Sequence, residues 1–161
     1  MNRLHVHLHV RDISQSVRFY NALFGMEPAK RESDYAKWML DDPRVNFAIS
    51  TGGDAGLSHL GIQVEDDGAL AAATARALSA AGSVVEEKGA NCCYAVSDKA
   101  WATDPQGVRW ETFRTTGDLT VYGVGADETH TTNAAPSDCC PTAAPVGLEP
   151  AKAEACCGGN C

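Results

Sequence analysis

Histidines stand at positions 5, 7 and 9 in the stretch running from Leu4 to Val10. Strand side chains alternate between faces, so the three imidazoles share one face while Leu4, Val6, Leu8 and Val10 share the other. Imidazoles on one face are potential metal ligands, and histidines that are only packed or solvated are the plainer alternative. A repeat narrows the choice. His5 to Asp12 and His59 to Asp66 both read His-x-x-[Leu/Ile]-x-Val-x-Asp. His59 recurs at the place of His5, whereas Gly61 and Gln63 stand where His7 and His9 do. His5 and His59 are thus the symmetric pair, and His7 and His9 are candidates for lining a pocket.

Glu111 lies between Trp110 and Phe113 in a segment otherwise reading as core, and a buried glutamate is rare without a partner. His5, His59 and Glu111 would form the arrangement of two histidines and one carboxylate on one face of a cation. That set leaves positions open for substrate and oxygen and suits non-haem Fe(II), whereas a structural zinc site closes with four ligands. Other divalent first-row metals fit the same donors.

The second chemical feature is Cys92-Cys93. Neighbouring cysteines are poorly suited to an ordinary disulfide, because bridging them closes a small strained ring. They could instead be small core residues, although alternate strand faces would then hide only one. The chain has seven cysteines, and 92/93, 139/140 and 156/157 are adjacent pairs, with Cys161 beyond them.

These residues must be positioned by 161 residues, 44% of them hydrophobic, enough for one globular domain. A net charge of −8 with no basic cluster argues against a nucleic-acid partner. The N-terminus lacks the apolar run of a secretory signal and no window approaches a bilayer span, so a cytoplasmic protein without membrane partners is expected. A reducing compartment would keep the thiols free for metals or soft ligands.

Each repeat opens as strand then helix. Ile13, Val17, Tyr20 and Phe24 recur with helical period up to Gly25, with Asp12 or Ser14 as cap. Leu70, Thr74, Ala77, Leu78 and Ala81 do so up to Gly82, with Asp66 or Asp67 as cap. Strand patterns follow at 36–40 and 45–50 in the first unit, and at 83–88, 93–103 and 108–113 in the second, the last two joined by an Asp104-Pro-Gln-Gly107 turn. The expected fold is α+β: two paired βαβββ modules, about 1–50 and 57–114, curving around a metal site within a domain spanning 1–116. Only six of the 45 residues from Gly117 onward are Val, Ile, Leu, Met, Phe, Trp or Tyr, and four of the seven prolines lie there. A disordered, cysteine-rich tail is expected over 117–161.

The motif His-x-x-Leu-x-Val-Arg-Asp, the following SVRFYNALFG, the second-module histidine and the ending DPQGVRWE together resemble the vicinal oxygen chelate superfamily, which includes glyoxalase, extradiol dioxygenases and bleomycin and fosfomycin resistance proteins. The stretch CCYAVSDKAWATDPQGVRWETF is similar to the branch of cadmium-induced proteins and organoarsenical carbon-arsenic lyases. The resemblance implies cleavage of trivalent organoarsenicals, dependent on Fe(II) with O2 as co-substrate. It puts the metal ligands at His5, His59 and Glu111 and the substrate thiols at Cys92 and Cys93. Relatives often carry glutamine at the position of His5, and an imidazole binds first-row metals more strongly than an amide.

Trivalent arsenic is soft and thiophilic, so two thiolates can replace its exchangeable hydroxyls and leave the bond to carbon untouched. Cys139, Cys140, Cys156, Cys157 and Cys161 would then capture arsenic for the inner pair. Competing expectations are thiol-based sequestration of cadmium or arsenic without catalysis, a glyoxalase-type isomerase, and a thiol-transferase resistance enzyme. The isomerase usually needs four protein ligands, and the transferase needs no cysteine pair of its own.

Overall fold

The computed structural model describes residues 1–120. Along them run β1 (Arg3–His9), α1 (Ile13–Phe24), β2 (Lys30–Arg31), β3 (Tyr35–Asp41), β4 (Arg44–Ser50), β5 (Gly56–Gln63), α2 (Asp67–Ala81), β6 (Val85–Cys92), β7 (Ala95–Thr103) and β8 (Arg109–Asp118). The strands form one mixed sheet in the order β2-β3-β4-β1-β5-β8-β7-β6, a curved half-barrel with two helices in an α+β fold. Each half repeats strand, helix and three strands. The first strand of each copy runs parallel to its last, and the copies meet where β1 pairs antiparallel with β5.

The alternation in β1 sorts side chains as expected. Val6, Leu8 and Val10 pack with Ile13, Val17, Tyr20 and Phe24 of α1 against Trp38, Phe47 and Ile49, and this cluster is the main core. The imidazoles face the other way, into the concave side. Asp12 caps α1, its Oδ1 accepting from the Gln15 amide at 2.8 Å, and Gly25 ends the helix at φ 67°. Asp66 caps α2 in the same way, accepting from Ala69, and Gly82 closes it.

The face of α2 differs from the expectation. Leu70, Thr74 and Ala77 are half-buried, but Leu78 and Ala81 are exposed and the buried residue is Ala73. In a helix so rich in alanine, apolar spacing gives little sense of direction, and short side chains reach the sheet only along one narrow line.

Three boundaries also move. β2 is an additional two-residue strand. Cys93 and Tyr94 lie not in a strand but in the turn between β6 and β7. β8 continues past Thr116 to Asp118, and the Leu119 amide donates to the Tyr94 carbonyl at 2.9 Å. The Asp104 turn forms as anticipated, with Oδ1 accepting from the Gln106 and Val108 amides. Among the described residues no helix is long and apolar enough to cross a membrane. Cys139, Cys140, Cys156, Cys157 and Cys161 lie outside the described residues.

Candidate metal centre and thiol pair

The repeat brings the histidines together. Across the β1–β5 seam His5 pairs with Gly61 and His7 with His59, so the two pairs are images of each other under the duplication. The rings of His5 and His59 lie 5.2 Å apart on the concave face. Gly61 stands where the first copy has His7, and a β-carbon there would overlap the backbone oxygen of Glu111. Glycine therefore lets β8 close alongside β5 in the register Gly61–Glu111. Glu111 Oε2 then lies 3.9 Å from His5 Nε2 and 3.6 Å from His59 Nε2. The first-copy counterpart of Glu111 is the residue opposite His7, which is Ala48. The site thus has one carboxylate, not two.

Hydrogen bonds aim the rings. His5 Nδ1 donates to the Asn46 carbonyl oxygen at 3.0 Å, which leaves the Nε2 lone pair pointing toward Glu111. Register slips after the His7–His59 pair, leaving Ser58 unmatched between Leu57 and His59, and the Ser58 hydroxyl lies 3.0 Å from His59 Nδ1. A bulge is a common device for re-aiming one side chain.

Electrostatics favour ligand-competent forms. Burial lowers the pKa of His5 to about 4, with neighbouring His59 and Lys99 adding to the effect and Glu111 opposing it. Burial, His59 and His5 hold His7 well below the ordinary imidazole value. Both rings are therefore neutral at neutral pH. Burial pushes the Glu111 carboxyl upward, but Lys99 and the two imidazoles outweigh it and keep the group ionised. Lys99 Nζ sits 2.7 Å from Glu111 Oε1, and Glu111 and the two thiols outweigh burial to hold the lysine above its usual value.

Sequence reading placed His7 only at the pocket wall, yet His5, His7 and His59 offer nitrogens all within 4.8 Å of one another. His7 Nε2 lies 2.8 Å from the Ser50 hydroxyl, which lies 3.2 Å from His9 Nδ1 at the half-buried rim. Lys99 was missed altogether, although alternation in β7 places it with Ser97 and Trp101 on the buried face. Donors bound to one cation at about 2.1 Å lie about 3 to 3.5 Å apart, and Glu111 Oε2, at 3.9 and 3.6 Å from the His5 and His59 nitrogens, lies just outside that range. The burial of the three imidazoles, the neutral forms of His5 and His7 and the ionised carboxylate fit a divalent ion.

Cys92 closes the β6–β7 hairpin opposite Ala95, leaving Cys93 and Tyr94 as a two-residue turn. Both are left-handed, with φ 56° and 61°, in a position where Asn-Gly is the favoured pair. Such backbone costs side-chain-bearing residues of order 1 kcal/mol each. It breaks the alternation that would send adjacent side chains to opposite faces. The two sulfurs lie 3.1 Å apart, within hydrogen-bonding distance and not joined by a disulfide, and line the same cavity as His5, His7, His59, Lys99 and Glu111. The turn is anchored from the other half: Tyr94 donates to Asp34 at 2.6 Å, and Lys30 donates to the Leu119 carbonyl.

Residues 3–112 match the Glyoxalase/Bleomycin resistance protein/Dioxygenase superfamily. The chain belongs to that superfamily. Within it, the cadmium-induced protein CadI of Mycobacterium tuberculosis is 37% identical over 152 residues, covering 91% of this chain and 98% of that protein. A trivalent organoarsenical cleaving enzyme of Bacillus sp. (strain MD1) is 40% identical over 119 residues, covering 71% of this chain and 74% of that enzyme. Among solved structures of the superfamily's fold, an extradiol ring-cleaving dioxygenase from B. fuscum superposes with a TM-score of 0.55 at 20% identity, over 73% of this chain and 33% of the other.

Proposed function

We propose that this protein is an Fe(II)- and O2-dependent carbon–arsenic lyase that cleaves trivalent organoarsenicals such as methylarsenite and releases arsenite. The observation that carries this reading is one cavity shared by the adjacent thiols and by His5, His59 and Glu111. The relatives called trivalent organoarsenical cleaving enzymes, 35–40% identical to this chain, support it.

In this reading His5, His59 and Glu111 would hold the cation. Fe(II) supplies reactivity toward dioxygen, which redox-inert zinc lacks. Cys92 and Cys93 form two sulfur–arsenic bonds, their protons leaving with the displaced hydroxyls as water, and the carbon–arsenic bond stays exposed to the cavity. Tyr35, Trp101 and Phe113, all buried along the wall, keep bulk water from the reacting group. Lys99 holds Glu111 charged and fixed.

Methylarsenite plus dioxygen balances as arsenite plus formaldehyde. Arsenic is trivalent on both sides, so the methyl carbon is oxidised while oxygen is reduced. Anaerobic loading with Fe(II), then methylarsenite, then oxygen should release arsenite and formaldehyde one for one. No arsenite, or equal arsenite without oxygen, refutes the reading.

Thiol sequestration without catalysis is the second reading, favoured by the relative named for cadmium induction. A glyoxalase-type isomerase is third, and Ala48 in place of a second carboxylate speaks against it.

A further inference from the structure

Asn46 sits opposite His5 on β4 and therefore on the same concave face. It is 3% exposed and lines the cavity with the histidines, Glu111 and the thiols. Its backbone carbonyl orients His5, and its side-chain Nδ2 donates to Gln63 Oε1 at 3.0 Å. That bond fixes the amide plane and leaves Oδ1 buried with no hydrogen-bond partner. A buried acceptor left unmet is costly and uncommon, so such a group beside a cavity marks where a donor is expected. Nothing in the roles given to the other residues uses this atom.

We propose that Asn46 Oδ1 is an acceptor of the site, taking a hydrogen bond from an O–H group lodged beside His5. This rests on the lyase reading for its ligands. The O–H has two sources, water held against the bound cation or a hydroxyl on the organic substituent of the arsenical, and the two give different results. With Nδ2 donating to Gln63 Oε1, oxygen and not nitrogen faces the guest, so a substituent bearing only acceptors gains nothing there.

The experiment compares full-length wild type, Asn46→Ala, Asn46→Asp and Gln63→Ala, each checked for folding by circular dichroism. Gln63→Ala breaks the same amide pair but keeps Oδ1, and Asn46→Asp keeps an acceptor of the same shape. In the first arm Co²⁺ alone is titrated and its visible spectrum recorded. If the donor is water on the cation, Asn46→Ala weakens Co²⁺ binding about tenfold or more and alters the bands, while Asn46→Asp does not weaken it. In the second arm the metal-free proteins bind a trivalent phenylarsenical and its para-hydroxyphenyl counterpart. If the donor is the substituent, Asn46→Ala removes an approximately tenfold preference for the hydroxylated compound and leaves Co²⁺ binding alone. Should the alanine variant fail to fold, Asn46→Ser, too short to reach, takes its place with the same expectation.

The proposal is overturned if Asn46→Ala matches wild type in both arms, or if Asn46→Asp loses as much as alanine does. Failure of the parent reading shows separately: Co²⁺ binding that persists in His59→Ala would mean that the ion lies elsewhere.

Discussion

Lys99 Nζ and Glu111 Oε1 form a 2.7 Å ion pair with both side chains buried. The pair occupies one carboxylate oxygen and leaves the other, Oε2, turned toward His5 and His59. Glu111 is thereby presented through a single oxygen, and the lysine supplies its counter-charge when no cation is bound.

Lys99→Met should therefore unmask the carboxylate. Removing one partner of a buried pair costs roughly 3–5 kcal/mol, so the metal-free variant should melt well below wild type. A divalent ion would restore the missing positive charge. Thermal unfolding with and without Zn²⁺ should show a larger metal-induced rise in Tm for the variant than for wild type; equal rises would remove Lys99 from this role.

Acid should destabilise the metal-free protein over a definite range. Unfolded imidazoles take up protons below about 6.5, whereas folded His5 resists until about 4 and His7 is also held well below its ordinary value. The unfolded state then binds more protons, and stability falls as pH drops through this window by at most about 1.4 kcal/mol per pH unit for each ring. Glu111, whose folded pKa is depressed, acts in the same direction at lower pH: its contribution is present above the unfolded carboxyl value and is lost as pH falls through the folded one. Urea midpoints at pH 7 and pH 5 should differ less in His5→Gln than in wild type.

The thiols and the ligands should separate functionally. Cys92→Ser or Cys93→Ser loses the second arsenic–sulfur bond, and loss of that chelation should weaken binding of a trivalent phenylarsenical by about 10²-fold or more. His59→Ala should bind it as wild type does yet release no arsenite. Wild-type arsenite release by His59→Ala would favour thiol chemistry acting without the ligand set.

Truncation should depend on where the cut falls. Ending the chain after Thr120 removes Cys139, Cys140, Cys156, Cys157 and Cys161 and should lower activity only at low substrate, if these cysteines deliver arsenic to the inner pair. Ending it after Thr116 also removes the Leu119 contact to Tyr94, which ties down the thiol turn, and should weaken arsenical binding at every concentration. Identical behaviour of the first truncation and the full chain would dispose of the delivery role.

Much of the site was legible because a duplicated motif encodes both position and partner: the match between His5 and His59 is also a statement about which strands meet. Glu111 was readable as a charge in an apolar strand. His7 was discounted because its counterpart is Gly61, yet that very asymmetry puts His7 opposite His59 in the seam. The thiol geometry was out of reach, since residues such as Cys93 and Tyr94 carry no preference for left-handed backbone and only tertiary anchoring holds them there. The burial of α2 was misjudged because alanines advertise no side.

Ala48 has a wider meaning. Two faithful copies would surround an ion with a matched set of imidazoles and acids and crowd out any visitor. With a methyl group in place of one acid, the halves become unequal, and an ion held there would gain an approachable flank. Duplication supplies the cradle, and Ala48, one of several places where the copies differ, would supply the doorway.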